Sequence, residues 1–255
     1  MINKIMNIDC IKGMKLMADK SVDLILCDLP YGVTQNKWDS VIPLDSLWEQ
    51  YERIIKDKGA IVLTAQDKFS AKLMLSNEKL HKYNLVWDKK LTSGFLNANR
   101  MPLRVHEDIL VFYKKLPNYN PQKVLGKKNH SKGSMSTDIN NNYGKYGKVD
   151  NLEKLGNMKH PKSIISFQKP HPSKALHPTE KPVALFEYLI KTYTNEGDLV
   201  LDNCVGSGTT NIACLNTNRQ CIGMEKDEEY FKIATKRLEE AKRQKRTQKV
   251  LKDEN

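Results

Sequence analysis

The sequence predicts one α/β domain with a mostly parallel central sheet, interrupted by a polar insert. Three observations carry this reading. Short apolar runs alternate with amphipathic stretches at both ends of the chain, the pattern of strands joined by crossover helices. Several apolar runs end in Asp- or Gly-bearing turns. Between residues 117 and 175 the alternation fails, and Asn, Lys, Gly and Ser take over.

In chain order, residues 4–8 form the first strand candidate and residues 10–17 a helix. Residues 22–27 are a second strand, followed by a helix over 44–55. Gly59 punctuates the step from that helix to a strand at 60–64, because glycine breaks a helix at little steric cost. A helix at 68–75 and strands at 84–87 and 109–113 complete the first half. After the insert, Thr179, Glu180 and Pro182 open a helix candidate that reaches Tyr193. A strand at 198–202, a helix at 209–216 and a strand at 221–225 follow. Tyr230, Phe231, Ala234 and Leu238 recur near helical spacing in a last helix over 227–243. Its basic continuation fits a frayed solvated end as well as a nucleic-acid arm.

The chain has 255 residues, 39% of them hydrophobic and 28% charged, enough for a core that needs neither disulfide nor metal. No apolar run approaches the roughly 20 residues that cross a bilayer, so no membrane association is expected. The first ten residues, MINKIMNIDC, lack the apolar region of a secretory signal, and a cytoplasmic protein is expected. Cys10, Cys27, Cys204, Cys214 and Cys221 are odd in number and have no C-x-x-C spacing, so they read as reduced packing residues. The formal charge of +12 is concentrated. Residues 115–174 hold twelve Lys, no Arg and three acids, and residues 236–255 hold eight bases and four acids. A nearly neutral body with two basic attachments favours a polyanion, although solvated lysines also serve solubility.

The strongest glycine signal is LVLDNCVGSGTT at 199–210, where an apolar run delivers Asp202 and Cys204 to a turn containing Gly206, Ser207, Gly208 and Thr209. Glycines there let a ligand approach the backbone at the carboxyl edge of a parallel sheet. The turn lacks the Lys of a triphosphate-binding loop. Glu225 ends the next apolar run, where a carboxylate can accept from both ribose hydroxyls of an adenosine-bearing cofactor. On these residues alone, S-adenosylmethionine, a dinucleotide and purely structural glycines all remain open.

With DLPYG at 28–32, HPTEKP at 177–182, DNCVGSGTT at 202–210 and GMEKDEEY at 223–230 in this order, the chain resembles the β-group of amino-directed DNA methyltransferases. The resemblance covers roughly residues 3–240. It implies a Rossmann-like methyltransferase fold with circularly ordered motifs. Residues 1–116 would be the catalytic half, 117–175 a basic target-recognition insert, 176–243 the S-adenosyl-L-methionine half, and 244–255 a basic tail. It also implies Asp9, Thr179, Lys181, Asp202, Cys204, Gly206, Ser207, Gly208, Thr209 and Glu225 as donor contacts. Asp9 and Thr179 have alternative roles as helix caps, and Pro182 can stabilise a first helical turn. Cys204 stands where an aromatic residue is usual, and Glu180 where Gln is usual.

DLPY resembles the family's DPPY, with Leu29 for the first Pro. Asp28 and the Leu29 carbonyl are the implied acceptors for an exocyclic amine, Pro30 holds the turn, and Tyr31 stacks on the extruded base. The Asp-initiated motif resembles adenine-N6 enzymes more than cytosine-N4 enzymes, and duplex DNA is the implied partner. Cytosine-N4 transfer and an inactive cofactor- and DNA-binding module are the alternatives; a homodimer and a companion restriction nuclease stay open. No metal is expected, since His106–Glu107 lacks zinc-protease spacing. Residues 35–39 fit a loop beside the base, although Trp38 fits a hydrophobic clamp equally well. Trp87 and Phe112 read as core before base platforms. Tyr119, Tyr143 and Tyr146 fit stacking on nucleic acid or simple packing.

The lysine cluster Lys127, Lys128 and Lys132 is expected to meet phosphates. Neutralising all three should weaken binding across several DNA sequences and lower its salt dependence, while donor binding stays nearly unchanged. Salt titration with cognate and noncognate duplexes checks this, and an unchanged slope refutes it.

Overall fold

The computed structural model describes residues 2–32, 39–127, 157–170 and 180–253, with side chains to residue 248. The chain divides into two units, Met1–Asn120 with Ser163–Asn255, and Pro121–Lys162. In the first unit the elements run β1 (Lys4–Asn7), α1 (Cys10–Lys15), β2 (Val22–Asp28), α2 (Leu44–Ile54), β3 (Ile55–Ala65), α3 (Asp67–Ser76), β4 (His81–Ser93) and β5 (Arg104–Phe112). The second unit contributes β6 (Val124–Leu125) and β7 (Met158–Lys159), which pair antiparallel. The first unit resumes with β8 (Ile164–Ser166), α4 (Val183–Tyr193), β9 (Leu199–Asp202), α5 (Thr209–Asn216), β10 (Gln220–Glu225) and α6 (Glu228–Asp253).

Among the described residues, eight strands form one sheet in the order β1-β10-β9-β2-β3-β5-β4-β8. Only β5 runs against the others. Both faces are covered, which is why the central strands read as nearly continuous apolar runs. Alternation along β3 sorts the two layers: Ile61 and Leu63 join Met14, Leu47, Tyr51 and Leu73 under α1–α3, while Ala60 and Val62 join Leu185, Leu189 and Ala213 under α4 and α5. Trp87 and Phe112 are fully buried, and the Trp87 indole donates to the Phe167 carbonyl at 2.8 Å. Both are core residues.

Three expectations need correction. Gly59 lies inside β3 and does not precede it. β3 already begins at Ile55, and its register against β2 shifts between Val22 and Leu24. A Cβ on Gly59 would stand 2.8 Å from the Asp23 carbonyl oxygen and 2.7 Å from Ile55, so glycine serves close approach at a bulge. Residues 164–166, expected to be irregular, add β8 beside β4. Three residues are too few for periodicity to register. The basic tail continues α6 to Asp253, because Lys, Arg, Gln and Glu are all good helix formers.

Gly59→Ala should therefore lower stability by about 1–3 kcal/mol, since backbone has to shift to admit the methyl group. Urea unfolding of the two proteins measures this; equal midpoints and slopes would refute the close approach.

Candidate active site

The parallel strands deliver their functional residues to one edge. Register places Asp28 beside Thr64, Asp202 beside Gly223, and Asn7 beside Glu225. Beyond these strand ends lies a cavity of about 810 Å³, lined from one side by Asp28–Tyr31 and from another by Asp9, Asn203–Ser207 and Glu225. Ligand sites at the carboxyl ends of parallel strands are the general behaviour of open α/β sheets.

Asp28 is held on both oxygens. Its Oδ1 accepts from the Tyr31 hydroxyl at 2.7 Å and from the Thr64 hydroxyl, while Oδ2 meets Lys181 Nζ at 2.6 Å. Lys181 Nζ also stands 3.3 Å from Glu107 Oε2, and Glu107 Oε1 lies 3.3 Å from Lys89 Nζ. Lys89, Glu107, Lys181 and Asp28 thus form a line of alternating charge, its first three members almost wholly buried. Burial works against the Lys181 ammonium, but the nearby Asp28 and Glu107 carboxylates outweigh it and hold its pKa above the ordinary lysine value. Lys169, also lining the cavity, is pushed down by burial.

The DLPYG loop is fixed from several directions. Leu29 is only 3% exposed, so where a proline would fix φ its side chain anchors the loop in the core. Gly32 adopts φ +69°, and its N–H donates to Asp39 Oδ1 at 2.8 Å. Pro30 lines the cavity, and the half-buried Tyr31 ring lies 5.1 Å from the Phe69 ring. Burial raises the Tyr31 hydroxyl well above its ordinary pKa.

On the glycine side, Gly206 and Gly208 take φ of +51° and +82°, conformations that few side chains tolerate. A Cβ on Gly208 would come within 3.2 Å of Ala234 on α6. Glu225 Oε2 accepts from the Gly206 N–H and Oε1 from the Asp227 N–H, each at 2.9 Å, and burial still raises its pKa. Asp9 is the N-cap of α1, accepting from Ile11 and Lys12, and it also lines the cavity; capping and ligand contact are compatible. Cys204 and Thr209 line it as well. Ser207 receives Arg237 from α6, and the same guanidinium pairs with Glu180 at 2.8 Å, which gives this departure from Gln a charged partner. Asp202 is buried, accepting from the Thr210 hydroxyl and the Cys204 N–H, and burial raises it to about 6. All five cysteines are free, and burial pushes the Cys27 thiol up to about 12.

Lys127 is exposed in the second unit, and Tyr119 is half exposed beside Tyr193. Thr179, Lys128, Lys132, Trp38, Tyr143 and Tyr146 lie outside the described residues. Lys181, expected among the donor contacts, pairs with Asp28 and lines the same cavity. Thr64, Lys89 and Glu107 were missed. Strand alternation carried a signal for the last two, because Lys89 shares a face with buried Trp87, and Glu107 shares one with buried Ile109. Among the described residues no cluster suits a metal ion, and no helix is long and apolar enough to cross a membrane.

Comparison with known proteins gives a consistent picture. The DNA methylase family profile (N6/N4 methyltransferases) matches residues 22–236. The chain is 29% identical over 244 residues to the type II methyltransferase M.HpaI of Haemophilus parainfluenzae, covering 91% of this chain and 72% of that protein. It is 27% identical over 249 residues to the DNA adenine methyltransferase YhdJ of Escherichia coli K12, covering 91% and 81%. Among solved structures, the M1.HpyAVI–SAM complex superposes with a TM-score of 0.60 at 25% identity, covering 92% of this chain and 98% of that one. The cytosine-N4-specific PvuII DNA methyltransferase gives a TM-score of 0.65 at 14% identity, over 90% and 84%, which speaks to the fold alone. The fold is the Rossmann-like methyltransferase fold expected from sequence.

Asp202 generates a pH prediction. Its folded pKa of about 6 lies above the ordinary 3.8, so between those values the folded state keeps a proton that the unfolded chain releases. This group's contribution to stability therefore falls as pH rises through that window, by on the order of 1–3 kcal/mol. Without donor, the stability of wild type relative to Asp202→Asn should fall between pH 4 and pH 7. A difference constant with pH in urea unfolding would rule this out.

Proposed function

The chain belongs to the N6/N4 DNA methylase family, S-adenosylmethionine-dependent enzymes acting on the exocyclic amines of DNA bases, and on that premise we propose adenine N6 in duplex DNA as its target. The observation that carries the proposal is one cavity holding both halves of the chemistry. Asp28 and Tyr31 line one side, and the glycine turn with Glu225 lines the other. The Asp-initiated loop and the likeness to an adenine methyltransferase support adenine over cytosine.

The residues fit the donor. The positive-φ glycines keep the turn clear of side chains, and Asp9 and Glu225 offer acceptors suited to the amino and hydroxyl groups of an adenosine. Bound S-adenosyl-L-methionine supplies an electrophilic methyl group and a neutral thioether leaving group. Asp28 and the Leu29 carbonyl accept hydrogen bonds from the amine, aligning its nitrogen and favouring the positive charge that develops there. The amine proton leaves after attack, so no strong base is needed. Tyr31 recovers part of the stacking lost when the base leaves the duplex. The hydroxyl bonds of Tyr31 and Thr64 to Asp28 fix the carboxylate before the base arrives.

Methylating a random-sequence duplex library and mapping the products tests the reading: N6-methyladenine at one sequence word is expected, and N4-methylcytosine alone would overturn adenine. Asp28→Ala or Tyr31→Ala should slow single-turnover transfer by roughly 10²-fold or more with donor affinity largely kept. Glu225→Ala should instead weaken donor binding by about 1–3 kcal/mol, measured by calorimetry. Normal chemistry in the Asp28 variant would defeat the assignment.

A further inference from the structure

Lys181 is placed where ordinary structural lysines are not. It is 5% exposed, lies on the wall of the cavity, and has its Nζ 2.6 Å from Asp28 Oδ2 and 5.7 Å from the centre of the Tyr31 ring. An ammonium has three N–H bonds. Among the described residues Asp28 takes one of them as a hydrogen bond, and Glu107 Oε2 stands at ion-pair distance. Asp28 Oδ2, with Oδ1 already occupied by two hydroxyls, has acceptor capacity left. The cavity wall therefore presents an acceptor and a donor side by side. Their spacing is close to that of two nitrogens attached to one carbon.

Given amino-methyl transfer as proposed above, we infer that Asp28 and Lys181 together bind the amidine edge of the extruded base. Asp28 Oδ2 accepts from the exocyclic amine, and Lys181 Nζ donates to the unprotonated ring nitrogen beside it. Adenine and cytosine both carry this donor–acceptor edge. Thymine presents the reverse order, a carbonyl beside a protonated nitrogen, and guanine places a protonated nitrogen next to its carbonyl. In either case the Lys181 ammonium faces an N–H and Asp28 faces a carbonyl oxygen, so a donor meets a donor and an acceptor an acceptor, and neither group gains a hydrogen bond from the base. The pair thus rejects thymine, and rejects guanine presented through its carbonyl edge, while pocket shape has to exclude the 2-amino and N3 edge of guanine and to distinguish adenine from cytosine. A cation beside an amine that gains positive charge would oppose transfer if it stood alone. Here Lys89 and Lys181 are matched by Glu107 and Asp28, so the line carries recognition without a net positive charge of its own.

The test replaces the ring nitrogen by C–H. Duplexes carrying the mapped target word receive adenine or 1-deazaadenine (cytosine or 3-deazacytosine for a cytosine target) opposite an abasic site, so that extrusion breaks no base pair. Affinity is read by fluorescence anisotropy with S-adenosylhomocysteine present, and single-turnover methylation is followed separately. Wild-type protein should bind the deaza duplex about 10- to 100-fold more weakly, the loss expected for one hydrogen bond to a charged group. Lys181→Met should bind the two duplexes alike. Wild-type affinities within twofold of each other would overturn the inference while the methyltransferase reading stands, and this comparison needs no variant to fold. A deaza penalty undiminished in a folded Lys181→Met protein would also overturn it. Absence of methyl transfer to any unmodified duplex would instead refute the function reading, and the inference with it.

Discussion

A buried ammonium cannot persist without carboxylates against it, and Lys181 has two, from separate strands. Asp28 closes β2, Glu107 lies near the start of β5, and Lys181 comes from the segment just ahead of α4. The pairing joins residues 153 positions apart and ties the proposed catalytic loop to the segment that leads into α4. Removing any one partner would strand charge in a dry environment, a far larger cost than losing an exposed ion pair. The adjoining Lys89–Glu107 pair extends the constraint to β4, so β5 and β4 are both fixed relative to the cavity.

The sheet makes this convergence feasible. β9 and β2 are neighbours in the middle of the sheet, although Asp202 and Asp28 are far apart in sequence. Because β1, β10, β9, β2 and β3 are parallel, their carboxyl ends open on one edge, and the turns that leave them face one another. Antiparallel β5 contributes from its amino end, which lies at that same edge, so Glu107 meets residues from strands of opposite direction. Close packing then sets the limits on the loops. Leu29 anchors one in the core, and Gly208 lets another pass against Ala234.

The two sides of the cavity differ in electrostatic character. Around Asp28 charges come in matched pairs, whereas Asp202 and Glu225 depend on backbone and hydroxyl donors and have their pKa values raised by burial. A carboxylate held by neutral donors in a partly dry site gains from a cationic or hydroxyl-bearing ligand. This is the division expected if a neutral base approaches one side and a sulfonium-bearing adenosine the other.

Local pattern determined much of this protein. Apolar alternation located the main strands and helices of the large unit to within a few residues, apart from the early starts of β3 and β5, the late end of β4 and the length of α6. The run of Asp, Pro, Tyr and Gly after β2, and the Gly206–Gly208 turn after β9, marked the strand ends that line the cavity, because turns and strand ends are written in neighbouring residues. Tertiary structure alone decided the rest. It turned Gly59 into a bulge residue, added β8 as an edge strand too short to show periodicity, and gave Glu180 a partner in Arg237. It also placed Lys181 against Asp28 and Glu107. Each of these depends on what lies across the sheet or cavity, and a linear pattern cannot specify the partner of a charge or the neighbour of a missing Cβ before the chain has folded.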